Sequence, residues 1–252
     1  MSRRLKIMAA VLALVASSPG LAGARAAPTA AAAAAIADPG RPAAAVARDV
    51  DRKPADMLAF AGVKPGQVVV ELLPGGGYFT RLFAKAVGPK GRVYAVITEA
   101  QAKGDKPPAV NAIAADPAYA DVKVVAADFA TLALPEPADL VWTSQNYHDL
   151  HLARFKLDVA AANRAIFRAL KPGGLYVIVD HAAAPGTGLD VPDKLHRIDP
   201  AIVRREVEAA GFVFESESSV LRNPADDHSL LVFDPAIRGH TDQFVFKFRK
   251  PK

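Results

Sequence analysis

Apolar positions along most of the chain fall into two alternating patterns. Short continuous runs at Val68–Leu72, Arg92–Ile97, Val122–Ala126, Asp139–Thr143 and Leu175–Asp180 have the length and β-branched content of buried strands. Between them, helical spacing appears at Tyr78–Val87, around Pro108–Ala115 and at Leu152–Leu170. The last of these puts Leu157, Ala160, Ala161, Ala165, Phe167 and Leu170 on one stripe. It stops at Lys171-Pro172-Gly173-Gly174, because proline and glycine do not continue a helix. A further helix fits Pro200–Ala210, and strands follow at Phe212–Ser218 and Gln243–Phe248. Strands and helices in alternation predict an α/β fold: a Rossmann-like, doubly wound, mostly parallel sheet of seven strands covered on both faces.

The first 47 residues break the pattern. Arg3, Arg4 and Lys6 precede the apolar run Ile7–Ala16, and small residues follow at Ala22-Gly23-Ala24 and Ala24-Arg25-Ala26. That is the order of a secretory signal peptide over residues 1–26. Ser17, Ser18, Pro19 and Gly20 cut the run too early for a stable membrane span. Residues 27–47 are mostly alanine with Pro28, Pro39 and Pro42, so they read as a linker, and 48–252 as the folded domain. The expected location is therefore outside the cytoplasm, in the periplasm. N-terminal sequencing of protein from the cell envelope is expected to start just after Ala24 or Ala26, and an intact Met1 would contradict that.

Composition adjusts this picture in two ways. The formal charge of +5 owes much to the leader: without Arg3, Arg4, Lys6 and Arg25, 27 basic residues face 26 acidic ones, a net of +1. A nearly neutral domain gives no electrostatic reason to expect nucleic acid as a partner. The absence of cysteine excludes disulfides, thiolate metal sites, a cysteine nucleophile and a cysteine-linked lipid anchor.

The segment with the most chemistry is Val68-Val69-Val70-Glu71-Leu72-Leu73-Pro74-Gly75-Gly76-Gly77-Tyr78-Phe79-Thr80. A buried strand enters a glycine-rich turn and then a helix, so backbone can approach a ligand at the carboxyl end of the strand. The spacing is not the dinucleotide fingerprint, since Thr80 stands at the third position after Gly77. Glu71 suits an ammonium group and would repel a pyrophosphate. With Ala126-Ala127-Asp128-Phe129 after the third strand and Leu170-Lys171-Pro172-Gly173-Gly174-Leu175 before the fifth, the chain resembles the class I S-adenosylmethionine-dependent methyltransferases. More narrowly, it is similar to a group of often exported bacterial methyltransferases, through Pro74-Gly75-Gly76-Gly77-Tyr78, Asn146-Tyr147-His148-Asp149, Val179-Asp180-His181, Leu195-His196-Arg197-Ile198-Asp199 and Arg222-Asn223-Pro224-Ala225-Asp226-Asp227.

The resemblance implies S-adenosylmethionine as cofactor. Glu71, Gly75, Gly76 and Gly77 would serve its methionine end, and Asp128 with Phe129 its adenine. Two positions depart from the pattern. Leu73 stands where the first glycine of the loop is usual, and Ile97 where many relatives carry the acid for the ribose hydroxyls, which leaves Glu99 to substitute. Asn146 and His148 are the candidate catalytic residues, one orienting the acceptor and the other taking its proton; the alternative is that His148 and Asp149 cap the next helix. His181 and Arg197 are candidate substrate ligands. Asp199 before Pro200 reads as a helix cap, and Trp142 as core. The polar loop Arg222–His228 has no standard metal-ligand spacing, and no metal site is expected. The expected activity is methyl transfer to a small molecule or an envelope component. The alternative is an exported binding protein that keeps the pocket without turnover.

Overall fold

The structure is a computed structural model that describes residues 27–252, so the expected signal peptide lies outside the described residues. Four helices come first: α1 (Ala30–Ile36), α2 (Ala43–Val46), α3 (Asp49–Arg52) and α4 (Pro54–Ala61). The alternating part then runs β1 (Val68–Leu72), α5 (Tyr78–Val87), β2 (Arg92–Thr98), α6 (Glu99–Lys103), α7 (Val110–Ala115), β3 (Val122–Ala127), β4 (Ala138–Ser144), α8 (Val159–Ala169) and β5 (Leu170–His181). It ends with α9 (Val191–Leu195), α10 (Pro200–Ala209), β6 (Val213–Ser218) and β7 (Gln243–Arg249).

The seven strands form one sheet in the order β3-β2-β1-β4-β5-β7-β6, with β7 antiparallel to both its neighbours. All of β1 is buried, which explains why its sequence is a continuous apolar run instead of an alternating one. One face of the sheet packs with α1, α4, α5 and α7 through Met57, Leu82, Phe83, Ile113 and Trp142. The other packs with α8 and α10 through Ile166, Val203, Tyr176 and Phe248. Between β1 and β4 the strand order reverses direction. Loops leaving the carboxyl ends of these two strands diverge there and open a crevice, the usual ligand position in such sheets.

Two expectations change. The stretch 27–47 is not a free linker: α1 lies against the core, with Ala32 and Ala35 buried among its residues. Alanine makes this possible by its small size, since a helix face without bulky side chains can approach its neighbour closely. The helix expected from Leu152 instead begins at Val159, after Asp158 accepts a hydrogen bond from the Ala161 amide. Its buried stripe is Ala162, Asn163, Ala165 and Ile166, while Ala160 is exposed. Asp199 caps α10 as expected, accepting from the Ala201 amide, and also accepts from the Gly186 amide. Among the described residues, no helix is long and apolar enough to cross a membrane.

Candidate active site

A cleft of about 720 Å³ crosses the carboxyl ends of the first four strands. Leu73 and Gly75 come from the turn after β1, Thr98 and Glu99 from the end of β2, Asp128 and Phe129 from the end of β3, and Asn146 and Asp149 from the end of β4. Leu73, Gly75 and Asn146 also line an adjoining pocket of about 490 Å³, walled by Arg48, Arg52, Glu71, Gly76 and Tyr78. The two spaces together follow the crevice from the edge of the sheet to the N-terminal helices.

The turn after β1 is held in an unusual shape. Leu73 adopts φ +51, the left-handed conformation that glycine takes without penalty, and Gln145 at the end of β4 adopts φ +63. Asn146 fixes both strand ends, donating from Nδ2 to the Leu73 carbonyl at 3.0 Å and to the Ser144 carbonyl at 2.7 Å. Leucine therefore takes the backbone conformation that glycine usually supplies, at a backbone cost that the Asn146 bonds offset. These bonds also correct the role expected of Asn146: its amide hydrogens serve the backbone, and only Oδ1 is left for an acceptor.

Gly75 and Gly76 face open space, where an added Cβ would meet no heavy atom within 4 Å. Gly77 differs. An added Cβ there would stand 2.1 Å from Ile113 Cδ1, and Gly77 lines neither space. Its lack of a side chain serves the packing of α5 against α7, which corrects its expected role beside the ligand.

Glu71 is buried, accepts from Thr80 Oγ1 at 2.5 Å, and reaches the adjoining pocket. Burial pushes its carboxyl up to about 8, against the pull of the Thr80 hydrogen bond and the Arg52 charge. Arg52 is lowered to about 10, by burial and by the neighbouring Arg48 charge. It donates to Gln145 Oε1 at 2.5 Å, while its Nε has no partner. Its guanidinium also stands 5.1 Å from the Tyr78 ring centre, and Tyr78 donates to Asp49 at 2.6 Å. A buried acid and a partly buried, incompletely paired cation thus share one pocket. Sequence reasoning missed Arg48 and Arg52; the available signal was their spacing of four residues just ahead of the glycine turn, which puts both on one side of a helix.

Glu99 and Asp128 line the wide cleft. Glu99 pairs with Lys103 at 2.9 Å at the start of α6, and Asp128 accepts from the Ala130 amide at 2.9 Å, which turns the chain so that Phe129 packs under the cleft.

The histidines are placed differently from expectation. His148 is 2% exposed and lines neither space, so it does not meet an acceptor directly. Its Nδ1 lies 2.8 Å from Asp180 Oδ1, and its Nε2 3.2 Å from His196 Nδ1. The carboxylate that holds the ring is Asp180, from β5, and not the adjacent Asp149. Burial would lower the His148 pKa, but the Asp180 charge and hydrogen bond outweigh it and raise it above the ordinary value. His181 is buried with Nδ1 2.7 Å from Thr241 Oγ1, and burial lowers it to about 4, a neutral ring in the wall and not a substrate ligand. Arg197 is wholly buried. It pairs with Asp226 at 2.8 and 3.1 Å and donates to the Leu230 and Ala182 carbonyls, so every guanidinium nitrogen is partnered and none faces an anionic substrate. The loop Arg222–His228 is ordered by side-chain hydrogen bonds, among them His228 Nε2 with Asp242 at 3.0 Å.

Comparison with known proteins agrees with this architecture. Residues 70–178 match the family model described as a methyltransferase domain. A search of curated proteins by sequence returns no match. Among solved structures, the chain is similar to a SAM-dependent methyltransferase from Aquifex aeolicus, at 18% identity, a TM-score of 0.55, and coverage of 79% of this chain and 89% of that one. It is similar to an arsenic(III) S-adenosylmethionine methyltransferase from Chlamydomonas reinhardtii at 22% identity and a TM-score of 0.54, covering 90% and 75%. An N-methyltransferase from Bradyrhizobium japonicum aligns at 13% identity and a TM-score of 0.52, covering 82% and 96%. At these identities the structural likenesses establish the fold. The family match runs from within β1 to within β5 and includes all the residues that line the wide cleft. The chain thus has the fold of the class I S-adenosylmethionine-dependent methyltransferases, and its residues 70–178 match a methyltransferase domain.

Proposed function

We propose that this protein transfers a methyl group from S-adenosylmethionine to a small molecule or an envelope component, outside the cytoplasm. The observation that carries the reading is that Glu71 and Arg52 line the same end of a crevice whose other end is lined by Asp128 and Phe129. An amino-acid end with an ammonium and a carboxylate needs such an acid and such a cation, and the unpartnered Arg52 Nε is a donor awaiting an acceptor. S-adenosylmethionine supplies an activated methyl group on its sulfonium. The chain's own contribution is to align an acceptor with that methyl and to keep water away.

In this reading Arg52 and Arg48 take the carboxylate, Glu71 the ammonium, Glu99 the ribose hydroxyls and Asp128 the adenine amino group. The acceptor docks where Asn146 Oδ1, Asp149 and Arg154 meet the cleft. Export rests on the basic, apolar and small-residue order of residues 1–26. Incubating the protein with methyl-labelled S-adenosylmethionine and an envelope extract from its source organism tests the reading. Label is expected to move to a component of the extract. Cofactor bound in the cleft without any transfer of label, under conditions where the protein is folded, would favour a binding protein instead.

A further inference from the structure

Three groups converge on one point behind the cleft wall, of which Asp149 alone lines the cleft. His148 Nε2 lies 3.2 Å from His196 Nδ1 and 3.5 Å from Asp149 Oδ1, and those two lie 3.7 Å from each other. Three zinc ligands at about 2.0–2.1 Å and tetrahedral angles stand about 3.3–3.4 Å apart, close to this triangle. We propose that His148, Asp149 and His196 form a binding site for a divalent transition-metal ion, of which zinc fits best, at the acceptor side of the cleft.

Hydrogen counting supports an ion. Asp180 receives the hydrogen on His148 Nδ1, so the neutral ring turns a lone pair at Nε2 toward the other two groups. Asp149 offers only lone pairs when ionised. With both rings neutral, the three facing atoms have at most one hydrogen among them, and a cation at the centre satisfies all three.

Asp180 supplies the second support. It is fully buried, accepts from the His148 backbone amide at 2.6 Å as well as from the ring, and so fixes the tautomer and orientation that a metal-binding imidazole requires. Phe233 packs on His196 with ring centres 5.0 Å apart, and orients the second imidazole. Asp149 also lines the wide cleft, so the fourth position on the ion can open toward it.

The ion site stands on this geometry alone, whereas its role rests on the reading of the cleft. An acceptor hydroxyl or thiol bound at the open position becomes more acidic and releases its proton to solvent. Its lone pair then forms the bond to the methyl carbon as the carbon–sulfur bond breaks, and the bonding pair stays on sulfur, which leaves as a neutral thioether.

Titrating chelator-stripped protein with Zn²⁺ and Co²⁺ tests the site, with binding of S-adenosylhomocysteine measured in parallel. One ion per chain is expected, with the visible absorption of four-coordinate Co²⁺. His196→Ala, at a partly exposed position, should abolish uptake while circular dichroism stays that of the wild type. Asp180→Asn should weaken uptake by about 10–100-fold. No uptake by the folded wild type, or equal uptake by the wild type and His196→Ala, overturns the site. If uptake fails while S-adenosylhomocysteine binds, the ion alone is wrong. Uptake without S-adenosylhomocysteine binding keeps the site and removes its role in methyl transfer.

Discussion

Arg197→Leu is expected to cost about 3–5 kcal/mol of folding stability, the usual penalty for leaving one member of a buried ion pair alone. Arg197 and Asp226 side chains are 0% and 2% exposed, and the guanidinium also donates to the carbonyls of Leu230 and Ala182. Leucine would orphan all of these acceptors at once. For a chain of this size the melting temperature should fall by about 10 °C. The double variant Arg197→Leu/Asp226→Leu should recover part of the loss, because it removes the lone carboxylate as well. Calorimetric melting of the three proteins decides the matter. An unchanged melting temperature in Arg197→Leu, together with weakened acceptor binding, would restore the substrate role that the sequence suggested.

Why that role looked reasonable is instructive. His196-Arg197-Ile198-Asp199 is a polar run just before a helix, and a run of this kind is as compatible with a ligand site as with a buried network. Only the partner, Asp226, twenty-nine residues on, separates the two, and nothing in local spacing reveals it. The same limit applies to His148. Its neighbour Asp149 was the visible carboxylate, but the group that holds the ring comes from β5, brought alongside β4 by sheet pairing. Contacts made by sheet topology are invisible to local pattern.

The sheet itself was legible because strand burial is written in short range. Val68–Leu72 is buried on both faces and has the unbroken apolar run that such burial demands. Every boundary of the other strands lies within a residue of expectation except the start of β5, which begins at Leu170, ahead of its apolar run, because Leu170 pairs with Ala138 before a register shift and Gly173 and Gly174 bond with the Lys250 backbone. The N-terminal segment was misread for a specific reason. Large side chains are the signal that an element is anchored, and α1 is anchored by small ones. In the site, the glycine turn, Glu71 and Asp128 were legible from the order of their motifs, whereas Arg52 depended on how a preceding helix folds over that turn.

The protonation of Glu71 gives the cofactor reading a pH signature. The free protein holds this carboxyl neutral up to about 8, yet a ligand ammonium needs it ionised. Binding therefore releases a proton, and affinity should weaken as pH falls below about 8, by up to about tenfold per unit. Glu71→Gln should remove most of that slope.

Gly75→Asp has the largest expected effect on binding. Gly75 lies at φ +55, a conformation aspartate tolerates better than most residues, and its missing side chain points into open space shared by both parts of the crevice. The substitution should therefore spare the fold while placing bulk and negative charge where the ligand passes. Gly77→Asp would test the wrong thing, because Ile113 occupies the space its side chain needs. The decisive measurement is calorimetric titration of the wild type and Gly75→Asp with S-adenosylhomocysteine at pH 8. The account predicts one site per chain in the wild type and affinity at least about 100-fold weaker in the variant, a difference of about 2.8 kcal/mol. No binding by the folded wild type, or equal affinity in the two proteins, would contradict it.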